Sequence, residues 1–106
     1  MRQTHKNLII DMDGTICTEE KTFNKYLAIP QINAINSINN LYDQNYHITI
    51  YTARGWAEYR MTEHWLKSHN IKYDLLICGK PIYDYWIDDK ALRYDTWENI
   101  MKDLNK

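Results

Sequence analysis

Leu8-Ile9-Ile10-Asp11-Met12-Asp13-Gly14-Thr15 is the stretch whose reading decides the fold. Three consecutive aliphatic residues describe a strand buried on both faces, as strands inside parallel sheets are. The chain leaves that strand through two carboxylates one residue apart, followed by Gly14. Carboxylates at the end of a buried strand are costly unless a cation or a hydrogen-bond donor pairs them. In open α/β sheets, ligands occupy the crevice beyond the carboxyl ends of the strands. Taken alone, Asp-x-Asp-Gly is equally good turn chemistry, so the remainder of the chain has to decide.

Before this stretch, residues 1–6 are polar and basic and read as a frayed start. The strand itself is expected over 7–12. After it, residues 16–30 read as an irregular loop or small flap. Pro30 can open a helix in its first turn, and Ile32, Ile35, Ile38, Leu41 and Tyr42 recur behind it at spacings of three and four as far as Asn45. A second buried strand is expected over 46–52. A helix over 56–68 follows, with Trp56, Tyr59, Met61, Trp65 and Leu66 on its apolar face and Asn70 as its stop. Residues 74–78 and 83–87 read as a third and a fourth strand, the latter running into Asp88-Asp89. Asp95-Thr96-Trp97-Glu98 resembles a capping box opening a last helix, with Trp97, Ile100, Met101 and Leu104 on its core side. The order β, α, β, α, β, β, α predicts an α/β fold of one domain over 1–106. It would be a three-layer, Rossmann-like, mostly parallel sheet with helices on both faces.

Composition narrows the partners. A formal net charge of −1 over 106 residues supplies no basic field for nucleic acid or an anionic membrane. No charged-then-apolar leader and no apolar run of bilayer length is present, so the expectation is a soluble cytoplasmic chain. The two cysteines, Cys17 and Cys78, lack CxxC spacing and read as buried thiols. Nine tyrosines and four tryptophans help a small core bury enough area.

Residues suited to chemistry leave the expected strands at one edge: Asp11 and Asp13, then Thr52, then Lys80, then Asp88 and Asp89. Oxygen ligands without Cys or His point to a hard cation, Mg²⁺, held by Asp11, Asp13, Asp88 and Asp89. Thr52 and Lys80 suit the oxygens of a phosphoryl group. Asp11, on the rigid strand, is the expected nucleophile and Asp13 the expected proton donor and acceptor. Gly14, Thr15, Ala53 and Arg54 beside them are the expected substrate contacts, Arg54 being equally readable as a surface ion pair. Tyr83 and Tyr85 are read either as core or as a stacking surface for a sugar or base. The four histidines show no ligand spacing and are taken as non-catalytic.

These residues, in this order and spanning nearly the whole chain, resemble the four signature motifs of the haloacid dehalogenase superfamily: Asp11-Met12-Asp13-Gly14-Thr15, Thr52, Lys80 before Pro81, and Asp88-Asp89. In that superfamily an acidic residue two positions after the nucleophile is typical of phosphatases, so the resemblance implies a Mg²⁺-dependent phosphomonoester hydrolase working through an aspartyl-phosphate. Neither the gap over 16–30 nor that between Cys78 and Trp86 holds a cap domain, so the chain resembles a capless member. The wider runs Tyr51-Thr52-Ala53-Arg54-Gly55 and Ile87-Asp88-Asp89-Lys90-Ala91 are similar to small phosphatases associated with capsular or surface polysaccharide biosynthesis. That implies a small phosphorylated metabolite, sugar phosphates first, with a neighbouring subunit as one way to cover an open site. Two other readings stand beside it: a phosphate-binding or phosphoacceptor module without turnover, and a phosphatase for a macromolecular substrate. A response-regulator receiver would carry its acidic pair on the first strand, the reverse of the order here.

Overall fold

The computed structural model describes residues 2–20 and 24–106. Its centre is a parallel sheet of three strands in the order β1 (Lys6–Asp11), β2 (Tyr46–Tyr51), β3 (Leu75–Ile77). Register runs from Lys6 opposite Tyr46 to Asp11 opposite Tyr51, and from Thr49 opposite Leu75 to Tyr51 opposite Ile77. All three strands therefore end at one rim. The β-branched run Ile48-Thr49-Ile50 is buried throughout, as the middle strand of three requires.

α1 (Ala34–Asp43) connects β1 to β2 and buries Ala34, Ile38 and Leu41. α2 (Tyr59–Ser68) connects β2 to β3 and buries Thr62, Trp65 and Leu66. α3 (Trp97–Leu104) packs against α1. The parallel sheet and its crossover helices agree with the expected Rossmann-like class.

Several local expectations are corrected. The fourth strand over 83–87 does not form. Its residues favour strand, but Ile82, Tyr85 and Ile87 stand almost fully exposed, and strand preference needs a partner strand and a covered face before it becomes a strand. The first helix begins at Ala34, not at Pro30: Pro30 instead pairs with Cys17 across an isolated bridge, and Asn33 at φ +65° turns the chain into the helix. Residues 56–58 form a single 3-10 turn before α2, and Trp56 is outside the core. The start of the chain is tethered: Arg2 reaches Asp74 at 2.7 Å, donates to the carbonyls of Tyr42 and Tyr46, and lies 3.5 Å from the Tyr42 ring centroid. Residues 16–20 and 24–30 are partly core, with Ile16 and Cys17 fully buried and the Trp65 indole donating to the Ala28 carbonyl at 3.0 Å. The remainder of the expected flap, 21–23, and Met1 lie outside the described residues.

Candidate active site at the strand ends

The rim is built by two tight turns. After β1 the carbonyl of fully buried Met12 accepts from Thr15, Ile16 and Cys17 in succession, and the Gly14 amide donates to the Cys17 carbonyl at 2.8 Å. Gly14 needs φ +86°, and a Cβ built there would meet nothing within 4 Å, so its surface faces open space. After β2 the chain stays laced to the end of β3: Thr52 donates to Ile77, Lys80 to Thr52 and Gly79 to Arg54 through their backbones. This lacing fixes Lys80 beside β1 although 69 residues separate it from Asp11.

Asp11 and Asp13 leave the same turn but meet different cations. The Lys80 ammonium donates to Asp11 Oδ1 at 2.9 Å. Burial presses that ammonium toward neutrality, but the bond and charge of Asp11 outweigh it, and the Lys80 pKa lies above the ordinary lysine value. Asp13 is gripped by Arg54 in a two-point pair, Nη2 to Oδ1 at 2.8 Å and Nε to Oδ2 at 3.0 Å. The Arg54 side chain is 1 % exposed, and its remaining nitrogen donates to Thr62 Oγ1 at 3.2 Å. Burial opposes the charge of Arg54, yet Asp13 more than restores it and the pKa rises. The same pocket holds Cys17, whose thiol is pushed up to about 12, first by burial and then by Asp13, which excludes thiolate chemistry at neutral pH. Thr52 is fully buried, and its hydroxyl accepts from the Arg54 amide at 3.1 Å while keeping its own proton to give.

The structure thus brings Asp11, Asp13, Thr52 and Lys80 to one rim, with Gly14 and Thr15 in the adjoining turn and Ala53 next to Thr52. Arg54, read equally as a substrate contact or a surface ion pair, is turned inward into a buried ion pair with Asp13. The acidic pair is not gathered there. Asp88 takes the Trp86 indole N–H at 3.4 Å, Asp89 pairs with Lys90 at 3.2 Å, and both carboxylates are exposed. Among the described residues no three Asp, Glu, His or Cys side chains converge as a cation would require. As arranged, the residues expected to hold Mg²⁺ do not fit the ion.

Sequence reasoning missed two neighbours of the site. Thr62 buttresses Arg54, and its spacing to Trp65 and Leu66 was the signal for a helix face turned inward. Trp56 covers Gly79, where a Cβ would stand 3.1 Å from the indole nitrogen. Nothing in the sequence separated that placement from a core tryptophan.

A parallel sheet whose strand ends present Asp-x-Asp, a buried threonine and a lysine is a Rossmann-like α/β fold, the class in which ligands occupy the crevice at the carboxyl rim. Over residues 8–106 the sequence matches the haloacid dehalogenase-like hydrolases, and the chain belongs to that family. It is similar to a crystal structure of a structural-genomics target from Vibrio cholerae, at 26% identity and TM-score 0.72, covering 96% of this chain and 100% of that one. It also resembles in fold a chain of the Pnkp1/Rnl/Hen1 complex, at 23% identity and TM-score 0.63, covering 80% of this chain but 31% of that one. A chain of the Pnkp1/Rnl/Hen1 RNA repair complex matches similarly, at 20% identity and TM-score 0.59, covering 93% and 30%. No curated protein matches. No helix among the described residues is long and apolar enough to cross a membrane.

Proposed function

We propose that this protein is a phosphomonoester hydrolase acting on a small phosphorylated metabolite, with 1–106 working as one domain. The observation that carries the reading is the Asp11–Lys80 pair at 2.9 Å, which sets a carboxylate on a rigid strand beside an ammonium at the open rim. A phosphoryl group entering there would place one oxygen on Lys80 and its phosphorus in front of the free Asp11 oxygen. Asp11 attacks, an aspartyl-phosphate forms, and the bond to the leaving oxygen breaks. Asp13, two residues on, is the proton carrier of this reading: it takes a proton from the water that cleaves the acyl phosphate and returns it to the leaving oxygen of the next turnover, which requires one of its oxygens to leave Arg54. Lys80 meets an equatorial oxygen, where charge builds in the transition state, and Thr52, fully buried behind it, holds the Arg54 backbone in place. Family members commonly use Mg²⁺, but since the carboxylates do not fit the ion as arranged, no step here runs through it.

The experiment is phosphate release from an aryl phosphate, with and without added Mg²⁺, by the parent and by Asp11→Asn. Activity in the parent and loss to background in the variant are expected. A variant as active as its parent would remove Asp11 as nucleophile. A phosphoenzyme that forms in one burst and does not turn over would favour the phosphoacceptor alternative instead.

A further inference from the structure

Cys17 is fully buried at the rim, and the hydrolysis described above gives it no task. Its place is set by the chain around it: the backbone bridges to Asp13 on one side and to Pro30 on the other, and its carbonyl accepts from the Gly14 amide at 2.8 Å. From there the thiol meets both members of the buried ion pair. Sγ stands 3.6 Å from Asp13 Oδ1 and 4.0 Å from Arg54 Nη2, with the Met12 carbonyl at 3.8 Å as the other acceptor in reach. A thiol has one proton to give, and a carboxylate oxygen is a stronger acceptor than a carbonyl. The S–H is therefore spent on Oδ1, and the sulfur faces Arg54 with its lone pairs.

The two oxygens of Asp13 are thereby unlike. Oδ1 takes Arg54 Nη2 at 2.8 Å and the thiol, whereas Oδ2 takes Arg54 Nε alone, at 3.0 Å. The Asp13 side chain keeps 18 % of its surface exposed while Cys17 and Arg54 are buried, so the carboxyl group is approached from the rim and anchored from behind. Freeing an oxygen with one donor breaks one hydrogen bond; freeing its neighbour breaks two.

We infer that Cys17 is a positioning residue: with Arg54 it anchors Oδ1 of Asp13, so that Oδ2 is the oxygen that leaves Arg54 and carries the proton. This rests on the hydrolase reading and deepens it, by naming which oxygen moves and what holds the other. In the first half the Oδ2–H bond breaks, and its proton passes to the leaving oxygen as that oxygen's bond to phosphorus breaks. In the second, water gives a proton to Oδ2 while its oxygen bonds to phosphorus and the bond from phosphorus to Asp11 breaks. The thiol keeps its proton throughout and forms no bond to substrate.

The test is the ratio of kcat/KM for phenyl phosphate, whose leaving oxygen needs a proton, to that for nitrophenyl phosphate, whose leaving oxygen needs one far less. Cys17→Ala should lower that ratio about tenfold, part of the roughly 10²-fold that a positioned proton carrier supplies, and Cys17→Ser, which returns a donor at the same place, should restore most of it. Loss of packing alone would lower both substrates alike. NMR of the isotope-labelled Asp13 carboxyl carbon reads the contact without turnover: its signal should move in Cys17→Ala and return in Cys17→Ser. A ratio unmoved by alanine, or not restored by serine, would overturn the anchor while leaving hydrolysis standing. A parent that hydrolyses neither phosphate, with the carboxyl signal still answering to alanine and serine, would overturn the hydrolase reading and the proton's route while keeping the thiol on Asp13.

Discussion

Asp11 and Asp13 sit two positions apart, and the difference between their cations sets what each side chain is free to do. Lys80 touches one oxygen of Asp11 as a point charge, leaving the other open, whereas Arg54 occupies both oxygens of Asp13. A planar fork held by Thr62 fixes the direction of the carboxylate, and an ammonium could not. Arg54→Lys should therefore keep the fold but lower kcat by about 10²-fold, the range of a misdirected proton carrier, measured as phosphate release beside a thermal melt. Arg54→Met should in addition cost about 3 kcal/mol in urea unfolding, because it strands a partly buried carboxylate. At the other end of the sheet, burial pushes the Asp74 carboxyl up, but the Arg2 guanidinium and the Ile48 amide outweigh it and hold Asp74 below the usual carboxylate range. A carboxylate depressed in the fold stabilises it fully above its unfolded value, about 3.9, and that stability is lost as pH falls through the lower folded value. Asp74→Asn should thus melt below the parent at pH 7, and the gap should close as the melts are repeated below about pH 4.

At the scale of elements, local signals and packing agree unevenly. α3 starts one residue later than the capping-box reading of Asp95 to Glu98 places it: the Thr96 hydroxyl accepts from the Asn99 amide at 3.1 Å, Glu98 pairs with Lys102 instead of closing a box, and Trp97 anchors the first turn by donating to the Thr15 carbonyl at 2.9 Å. An eight-residue helix is too short to persist by propensity alone. Thr96→Ala should cost about 1 kcal/mol in urea unfolding, and Thr96→Ser should restore most of it. The hydrophobic run of β2 was legible because a central parallel strand is buried on both faces, whereas β1, read the same way, is an edge strand whose burial pattern leaves Ile9 exposed. The segment over 83–87 has an equally good composition and yet is not a strand, since composition carries no information about whether a partner edge is within reach. Pro30 misled for a similar reason: it is compatible with a first helical turn but equally with the bridge to Cys17 that the buried turn below it demands.

Across the whole molecule, the sheet is protected unequally. β2 is covered on both edges, while β1 pairs only with β2 and leaves Ile9 71 % exposed. Amide exchange should follow that asymmetry: the amides of Ile48, Thr49 and Ile50 should exchange slowest, and those over 82–90 should exchange at nearly the rate of an unfolded chain. Protection over 83–87 equal to that of β2 would mean that this segment pairs as a strand in solution.

By itself the sequence determined that Asp11, Thr52 and Lys80 leave the sheet on one side, but not that Asp88 and Asp89 would stay away from it. Asp11 and Thr52 follow directly on a hydrophobic run and Lys80 comes just after one, beyond Gly79, and strands that run parallel must deliver their ends to one side. Only the tertiary structure decided which of those groups meet. The pairs Asp11–Lys80 and Asp13–Arg54 join residues 69 and 41 positions apart, the inward turn of Arg54 depends on a threonine from α2, and Asp88 and Asp89 remain outside. Periodicity records the face on which a residue lies, whereas contact between distant side chains depends on how the elements settle against one another, and no local pattern carries that.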